Sequence, residues 1–376
     1  MSEVVKDIVA VVHENLKETK APVVPYEPRQ LKSYHPNIGL IACGGITAHH
    51  LQAYKDAGYK VVALCDLIEE RAKARRKEYF PDAQITTDYR DILARKDIEV
   101  VDIATHPAER VQIIEDALNA GKHVLSQKPF VLDLATGKSL VQTAKNNNVS
   151  LAVNQNGRWA PHLGYIREVV RGGHVGDVQA IHVRIAWDHS WTRGTPFEQI
   201  EDLVLYDFAI HWFDFLVSLI PNREIKRVFA SKTFAAGQDL KVPLLAQAVV
   251  EFDGGQASLV FDAGTLYGSQ DVTNVVGTKG SVTSDGSNLG EQTVRFYNSE
   301  GVATPQLKGA WFPDGFHGTM AELLSSIEER RSPLNNASDN LRSLSLAFAA
   351  IASANEGRPY KLGEAVSLWT PSGRGK

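Results

Sequence analysis

Asn37-Ile-Gly-Leu-Ile-Ala-Cys-Gly-Gly-Ile-Thr-Ala-His-His-Leu-Gln-Ala-Tyr54 is the stretch on which the reading of this chain turns. An apolar run ends in a small-residue turn and passes directly into a helical pattern, the form of an opening βα unit in a dinucleotide-binding sheet. Such a turn needs glycine where the backbone bends tightly and where a pyrophosphate must approach bare main chain at a helix N-terminus. The G-x-G-x-x-G/A spacing falls on Ala42, Gly44 and Thr47, so only the central glycine is present. Taken alone the match is weak, and an ordinary strand-turn-helix explains the same residues. The surrounding chain decides.

From Asn37 to about Gln155 short apolar runs alternate with amphipathic stretches. Strands are expected at Ile38–Ile41, Val61–Cys65, Val100–Ala104, His123–Ser126 and Ser150–Val153. Between them the spacing predicts helices at Ala48–Ala57, Ile68–Tyr79, Pro107–Ala120 and Asp133–Asn146, two of which are closed by Gly58 and Gly121. This alternation requires crossover helices and a parallel sheet, hence a doubly wound α/β domain of the Rossmann type.

After Arg158 the texture changes to period-two segments, at Val178–Trp187, Arg227–Lys232, Leu245–Phe252, Gln256–Phe261, Asp271–Gly277 and Thr293–Tyr297. Gly254-Gly255 reads as a tight hairpin turn. Helical patterns fall at Leu163–Gly172, Leu203–Leu219, Thr319–Glu329 and Asn340–Asn355. The second half is therefore an α+β domain on a largely antiparallel, open sheet. Residues 1–20 carry a helical apolar spacing, and Pro22, Pro25, Pro28 and Pro36 make 21–36 an extended connector. The expected division is an N-terminal extension over 1–36, a Rossmann domain over 37–155, and a substrate-binding and oligomerisation domain over 156–376.

Composition narrows the class. The 376 residues are 43% hydrophobic and 22% charged, with a net charge of −4, which leaves no electrostatic footprint for nucleic acid or an anionic membrane. Two cysteines, Cys43 and Cys65, cannot build a disulfide framework and lack zinc spacing. With no signal-peptide core or membrane-span run, a reduced, cytoplasmic location is expected.

Asp66 ends the second expected strand, about 20 residues past Gly44, where a carboxylate accepts the adenosine ribose hydroxyls and repels a 2′-phosphate. It favours NAD, while Arg71, Arg75 and Arg76 keep NADP open. The loops Thr105-His-Pro107 and Gln127-Lys-Pro129 lie at carboxyl ends of expected strands and so face the cofactor crevice. In the second half, Asp207 and His211 stand at i and i+4, with Asp214 at i+7, on one face of a helix. Two other readings of that set are a structural His–carboxylate pair and a metal site; no further group at ligand spacing supports a metal, and none is expected. An Asp–His pair brought beside Lys128 suits carbinol oxidation: imidazole takes the hydroxyl proton, the carboxylate orients the ring or the substrate, and the ammonium favours the alkoxide.

Taken together, these motifs resemble the Gfo/Idh/MocA family, the glucose–fructose oxidoreductase and inositol dehydrogenase group, over roughly residues 37–365. The resemblance rests on Gly39-Leu-Ile-Ala-Cys-Gly-Gly-Ile46, Ala63-Leu-Cys-Asp66, Ala104-Thr-His-Pro107, Gln127-Lys-Pro129, Asp207-x-x-x-His211 and the closing Asn340…Gly357 segment. It implies catalytic roles for Lys128, Asp207 and His211, with His211 the general base. It implies cofactor contacts from Gly44, Gly45, Ile46, Asp66, Thr105, Pro107, Gln127 and Lys128. Substrate contacts are expected from Arg158, Trp191, Asp207 and His211, on a sugar, inositol or related polyol, within a homodimer or homotetramer. Trp187, Asp188, His189 and Arg193 share the loop of Trp191, whose tryptophans equally suit a core or a subunit interface. The chain departs from the family pattern at Gln127 (usually Glu), at Ala42 and Thr47, and at Arg110 (usually His); Thr47 keeps a hydroxyl for phosphate. Two other activities fit the same scaffold: a sugar lyase or glycosidase that oxidises its substrate transiently through NAD, and a non-catalytic sugar- or nucleotide-sensing regulator.

Overall fold

Six parallel strands in the order β3-β2-β1-β4-β5-β6 form the first sheet of the computed structural model, which describes residues 16–368. They are β1 Asn37–Ile41, β2 Lys60–Cys65, β3 Gln84–Thr86, β4 Ile98–Ile103, β5 His123–Gln127 and β6 Leu151–Asn154. The linking helices are α1 Thr47–Asp56, α2 Glu69–Glu78, α3 Tyr89–Ala94, α4 Pro107–Asn119 and α5 Leu134–Asn146. Ile38, Leu40, Val100, Val101 and Leu125 are wholly buried because helices cover both faces, so these strands read as unbroken apolar runs. The order reverses between β1 and β4, which places the ligand crevice outside their carboxyl ends.

The second sheet has eight strands in the order β14-β13-β12-β11-β7-β10-β9-β8, antiparallel except for the β7–β10 pair. Its members are β7 Val178–Ala186, β8 Ile225–Thr233, β9 Leu245–Phe252, β10 Gly255–Asp262, β11 Gln270–Gly277, β12 Gly280–Gly286, β13 Gln292–Asn298 and β14 Gly301–Ala303. The β9–β10 turn is made by Asp253 and Gly254, with Gly255 already paired to Phe252, so the turn lies one residue earlier than the glycine pair suggests. Helices α6 Pro161–Arg171, α7 Ile210–Leu219, α8 Trp311–Glu328 and α9 Ala337–Glu356 complete the fold.

Helix α8 returns to the first sheet. Its Phe316, Met320, Leu323 and Leu324 share one buried cluster with Ile38, Leu40, Leu51 and Tyr54. Each such side chain contributes about 1.5–3 kcal/mol of burial. On another face of α8, Gly318 makes room for Trp159, in the turn that follows β6: a Cβ there would stand 2.2 Å from Trp159 Cγ.

The helix expected in residues 1–20 lies, up to position 15, outside the described residues. From Lys17 to Thr19 the chain is extended and exchanges backbone hydrogen bonds of 2.8 and 2.9 Å with Val302 on edge strand β14. At the opposite edge, Tyr360 exchanges 2.8 and 2.9 Å bonds with Val228 on β8. The connector then crosses α8, whose Glu328 accepts the backbone N–H groups of Lys32, Ser33 and Tyr34. Among the described residues no helix is long and apolar enough to cross a membrane.

Candidate active site

The turn after β1 solves its missing glycines in two ways. Ala42, at the first glycine position, adopts the left-handed φ of 76° that the motif demands. Thr47, at the third, is wholly buried and donates its hydroxyl to the Gly44 carbonyl at 2.7 Å. It therefore braces the turn from inside and does not reach outward to phosphate as its hydroxyl suggested. Arg75 Nη2 donates to the carbonyls of Gly44 at 3.0 Å and Gly45 at 3.4 Å, a second brace. The outer side stays open: a Cβ at Gly44 or Gly45 would meet nothing within 4 Å, and the next residue, Ile46, is 38% exposed. Asp66 stands beneath, its oxygens accepting the N–H groups of Cys43 at 2.7 Å and Ile68 at 2.8 Å. Burial pushes the Cys43 and Cys65 thiols up to about 12, which keeps both unreactive.

Two loops at the carboxyl ends of β4 and β5 continue this edge. Pro107 opens α4 just after Thr105 and His106. Gln127 closes β5, and the Lys128–Pro129 peptide is cis. Arg110 locks the two loops together. It is 1% exposed and donates to the carbonyls of Thr105, Gln127 and Pro129, the last at 2.7 Å. Burial depresses its guanidinium to about 10, against the opposing pull of the Tyr206, Asp207, Glu109 and Asp102 side chains. The hydroxyl of Thr105 and both polar atoms of the Gln155 side chain are buried and have no partner among the described residues. An open glycine turn, a strand-end carboxylate and these unpaired polar atoms along one sheet edge fit a dinucleotide.

Lys128 reaches across to the second half of the chain. Its Nζ donates to Asp207 Oδ2 at 3.0 Å and to the Asp207 carbonyl at 2.9 Å. Asp207 lies in a wide π turn, Val204–Phe208, that precedes α7, where the spacing predicts uninterrupted α-helix. Such widened turns cluster at functional sites because they re-aim side chains and carbonyls. Asp207 is thus committed to Lys128 and makes no hydrogen bond with His211, in contrast to the expected carboxylate–imidazole pair. The His211 ring stands 5.4 Å from that of Trp311, its buried Nδ1 close to Gly157 and without a hydrogen-bond partner among the described residues. Burial, then the Lys128 ammonium, hold its pKa well below the usual histidine value, so His211 is a neutral imidazole.

An aromatic band lines the same region. Trp187 stacks on His189 at 4.0 Å, His189 packs 4.1 Å from Phe208, and Trp191, 55% exposed, stands 5.5 Å from Phe197. Phe197 in turn meets His106 of the first-sheet loop at 6.0 Å. Burial drives His189 to about 4. Asp188 is turned onto Ser190 through its backbone and hydroxyl. On β11, Asp271 pairs in register with Ile185, just before the Trp187 loop. Both its oxygens are buried without a partner among the described residues, and burial raises its carboxyl to about 7.

Arg158 corrects the expectation of substrate contact. Its guanidinium is spent on Asp214, at 2.5 and 2.8 Å, and on the Leu334 carbonyl. Asp214 also accepts from Ser343 at 2.7 Å, so the i+7 carboxylate belongs to the packing of α7 against α9. Sequence reasoning gave no role to Arg110, His50, Asp102 or Phe197. The one legible signal was Asp102, a charge inside the apolar run Val100–Ile103.

Residues 36–155 match the model of an oxidoreductase family with an NAD-binding Rossmann fold, and residues 164–283 match the GFO/IDH/MocA C-terminal domain. Fold and site together define a dinucleotide-binding oxidoreductase. The chain belongs to the Gfo/Idh/MocA family. It is 27% identical to a D-apiose dehydrogenase of Paraburkholderia graminis, over 86% of this chain and 88% of that one. An inositol 2-dehydrogenase of Rhizobium meliloti is 25% identical, with 86% and 98% covered. An oxidoreductase from Agrobacterium radiobacter, solved with NAD+, L-tartaric acid and magnesium, superposes with a TM-score of 0.78 at 21% identity, over 88% and 99% of the chains. Among the described residues no group of three or more His, Cys, Asp or Glu side chains is placed to hold a metal.

Proposed function

We propose that this protein is an NAD-dependent dehydrogenase acting on a secondary alcohol of a sugar, inositol or related polyol. The observation that carries the reading is the Lys128–Asp207 contact, made across the two sheets beside a neutral His211. Gly44, Gly45, Ile46, Asp66, Thr105, Pro107, Gln127 and Lys128 would hold the dinucleotide, whose nicotinamide supplies the hydride acceptor. Preference for NAD over NADP is supported by Asp66 and by Arg75, whose Nη2 is already bound to turn carbonyls. Residues 37–155 would serve the cofactor and 156–376 the substrate and self-association, with the exposed Phe229 and Val249 marking the sheet face of a homodimer or homotetramer.

In the reaction direction of alcohol oxidation, His211 accepts the hydroxyl proton, which its neutral state allows. The Lys128 ammonium, held by Asp207, stabilises negative charge growing on the same oxygen. Trp191 offers an exposed indole to the apolar face of a sugar ring. The relatives named for apiose and inositol support a polyol substrate. The test is a screen of NAD and NADP reduction over monosaccharides, inositols and sugar acids, repeated with Lys128→Ala and His211→Ala. Turnover at the wild-type rate in both variants would sink the reading, and release of an aglycone without net reduction would turn it toward transient oxidation.

A further inference from the structure

Beneath Lys128 runs a buried polar chain whose inner members, His50, Asp102, Tyr54 and Asn154, have no part in the proposed chemistry. Asp102, wholly buried in β4, accepts the Tyr54 hydroxyl at 2.7 Å and lies 2.7 Å from His50 Nδ1. His50, on α1 and wholly buried, faces Gln127 Nε2 at 3.2 Å and Asn154 Nδ2 at 3.4 Å through its Nε2. Gln127 Oε1 accepts the backbone N–H of Lys128 at 2.7 Å. Asn154 Oδ1 accepts the Thr319 hydroxyl of α8 at 2.9 Å.

One obligatory donor fixes the direction of the whole chain. The Lys128 backbone N–H can only donate, so Gln127 turns its carbonyl oxygen to Lys128 and its amide nitrogen to His50. The Gln127 amide N–H then points at His50 Nε2, which must be an acceptor, and the ring proton sits on Nδ1, donated to Asp102. Gln127 and Arg110 grip the same peptide stretch from two sides: the amide takes the Lys128 N–H, and the guanidinium takes the Gln127 and Pro129 carbonyls.

We infer that His50 is a positioning residue, which holds the Lys128 main chain through Gln127, and that a neutral amide at 127 is what keeps its proton on Nδ1. The consequence for Lys128 rests on the functional reading above, whereas the proton placement does not. A carboxylate at 127 would present an acceptor to Nε2 and would require a second proton on the ring. Moving the carboxylate from 102 to 127 would keep the total charge and move the single proton to Nε2.

Nitrogen NMR of the full-length protein labelled in histidine reads this directly, with His50→Gln assigning the resonance. The wild-type protein should show a neutral Nδ1–H ring at pH 7. An Nε2–H ring or an imidazolium there overturns the inference without need of any other variant. Gln127→Glu should give an imidazolium, and the double variant Asp102→Asn with Gln127→Glu should give a neutral Nε2–H ring; an Nδ1–H ring in either overturns it. For positioning, NADH binding by fluorescence should weaken about tenfold in His50→Leu, the loss expected when buried partners are left unpaired. The fall should be largely recovered in His50→Asn, which still offers Gln127 an acceptor. Equal NADH affinity in the wild type and His50→Leu would refute the positioning role. Failure of the wild type to bind NADH would instead strike the functional reading and leave the proton result standing.

Discussion

Lys128 Nζ lies 3.0 Å from Asp207 Oδ2, with only 15% and 9% of the two side chains exposed. Each group is the main neutralising partner of the other, so removing one leaves a nearly buried charge. Lys128→Met and Asp207→Leu should each cost about 1–3 kcal/mol of stability, and the double variant less than the sum. Turnover should fall about 100-fold or more in each. Thermal melts and steady-state rates on a polyol substrate check both parts.

His211 is neutral because burial and Lys128 both oppose its protonation. Its basic form therefore survives below the ordinary histidine range, and the acid limb of kcat/KM should fall well under pH 6.5. Lys128→Met removes the repelling charge and should move what activity remains toward a higher-pH limb. A wild-type limb at or above pH 6.5 would contradict the assignment.

Asp271 carries the opposite sign. Its carboxyl is raised from 3.8 to about 7 by burial, so the folded chain holds a proton there that the unfolded chain has lost. This group's contribution is fully present below pH 3.8 and is lost as pH rises through about 7. The loss amounts to up to about 4 kcal/mol. Asp271→Asn should therefore gain stability relative to the wild type between pH 5 and pH 8, as read from paired denaturant titrations.

Ala42 holds a positive φ that costs an L-residue about 1–2 kcal/mol and glycine nothing, against a glycine entropy penalty of about 0.5–1 kcal/mol. Ala42→Gly should stabilise the protein by about 0.5–1 kcal/mol and leave dinucleotide affinity intact. Differential scanning calorimetry with and without NAD tests both statements.

Arg110 satisfies carbonyls of both cofactor-edge loops from a site 1% exposed. Arg110→Met should cost about 2–4 kcal/mol and weaken NAD binding at least tenfold, with Arg110→Lys little better because an ammonium lacks the planar fork. Calorimetric titration of NAD measures the second effect.

The parallel sheet was legible because its strands are buried on both sides and because Gly58, Pro107, Gly121 and Asp133 punctuate the segments between them. Strand β12 was not: Gly280-Ser-Val-Thr-Ser-Asp-Gly286 has turn composition, and it is a strand because β11 and β13 pair with it on both sides. The three residues of β3 and the single turn and a half of α3 are too short to show a period. At the site, Lys128, Asp207 and His211 could be placed from motif order, but their pairing could not. The π turn that gives Asp207 to Lys128 depends on tertiary packing around Leu203 to Ala209. Arg158 and Asp214 both belonged to recognisable motifs, yet 56 positions of separation conceal that they satisfy each other.

The segments that close off β14 and β8 bear on how copies of this chain can meet. With Val302 already bonded to Lys17 and Thr19, and Val228 to Tyr360, each outermost strand has part of its hydrogen-bonding capacity spent within the molecule. An incoming strand would have to displace native backbone pairs at those points before adding its own, which disfavours domain swapping or fibre growth through the sheet rims. Any contact between copies of this chain through the sheet is thereby steered to its broad side, where recognition is read by side chains and can be specific.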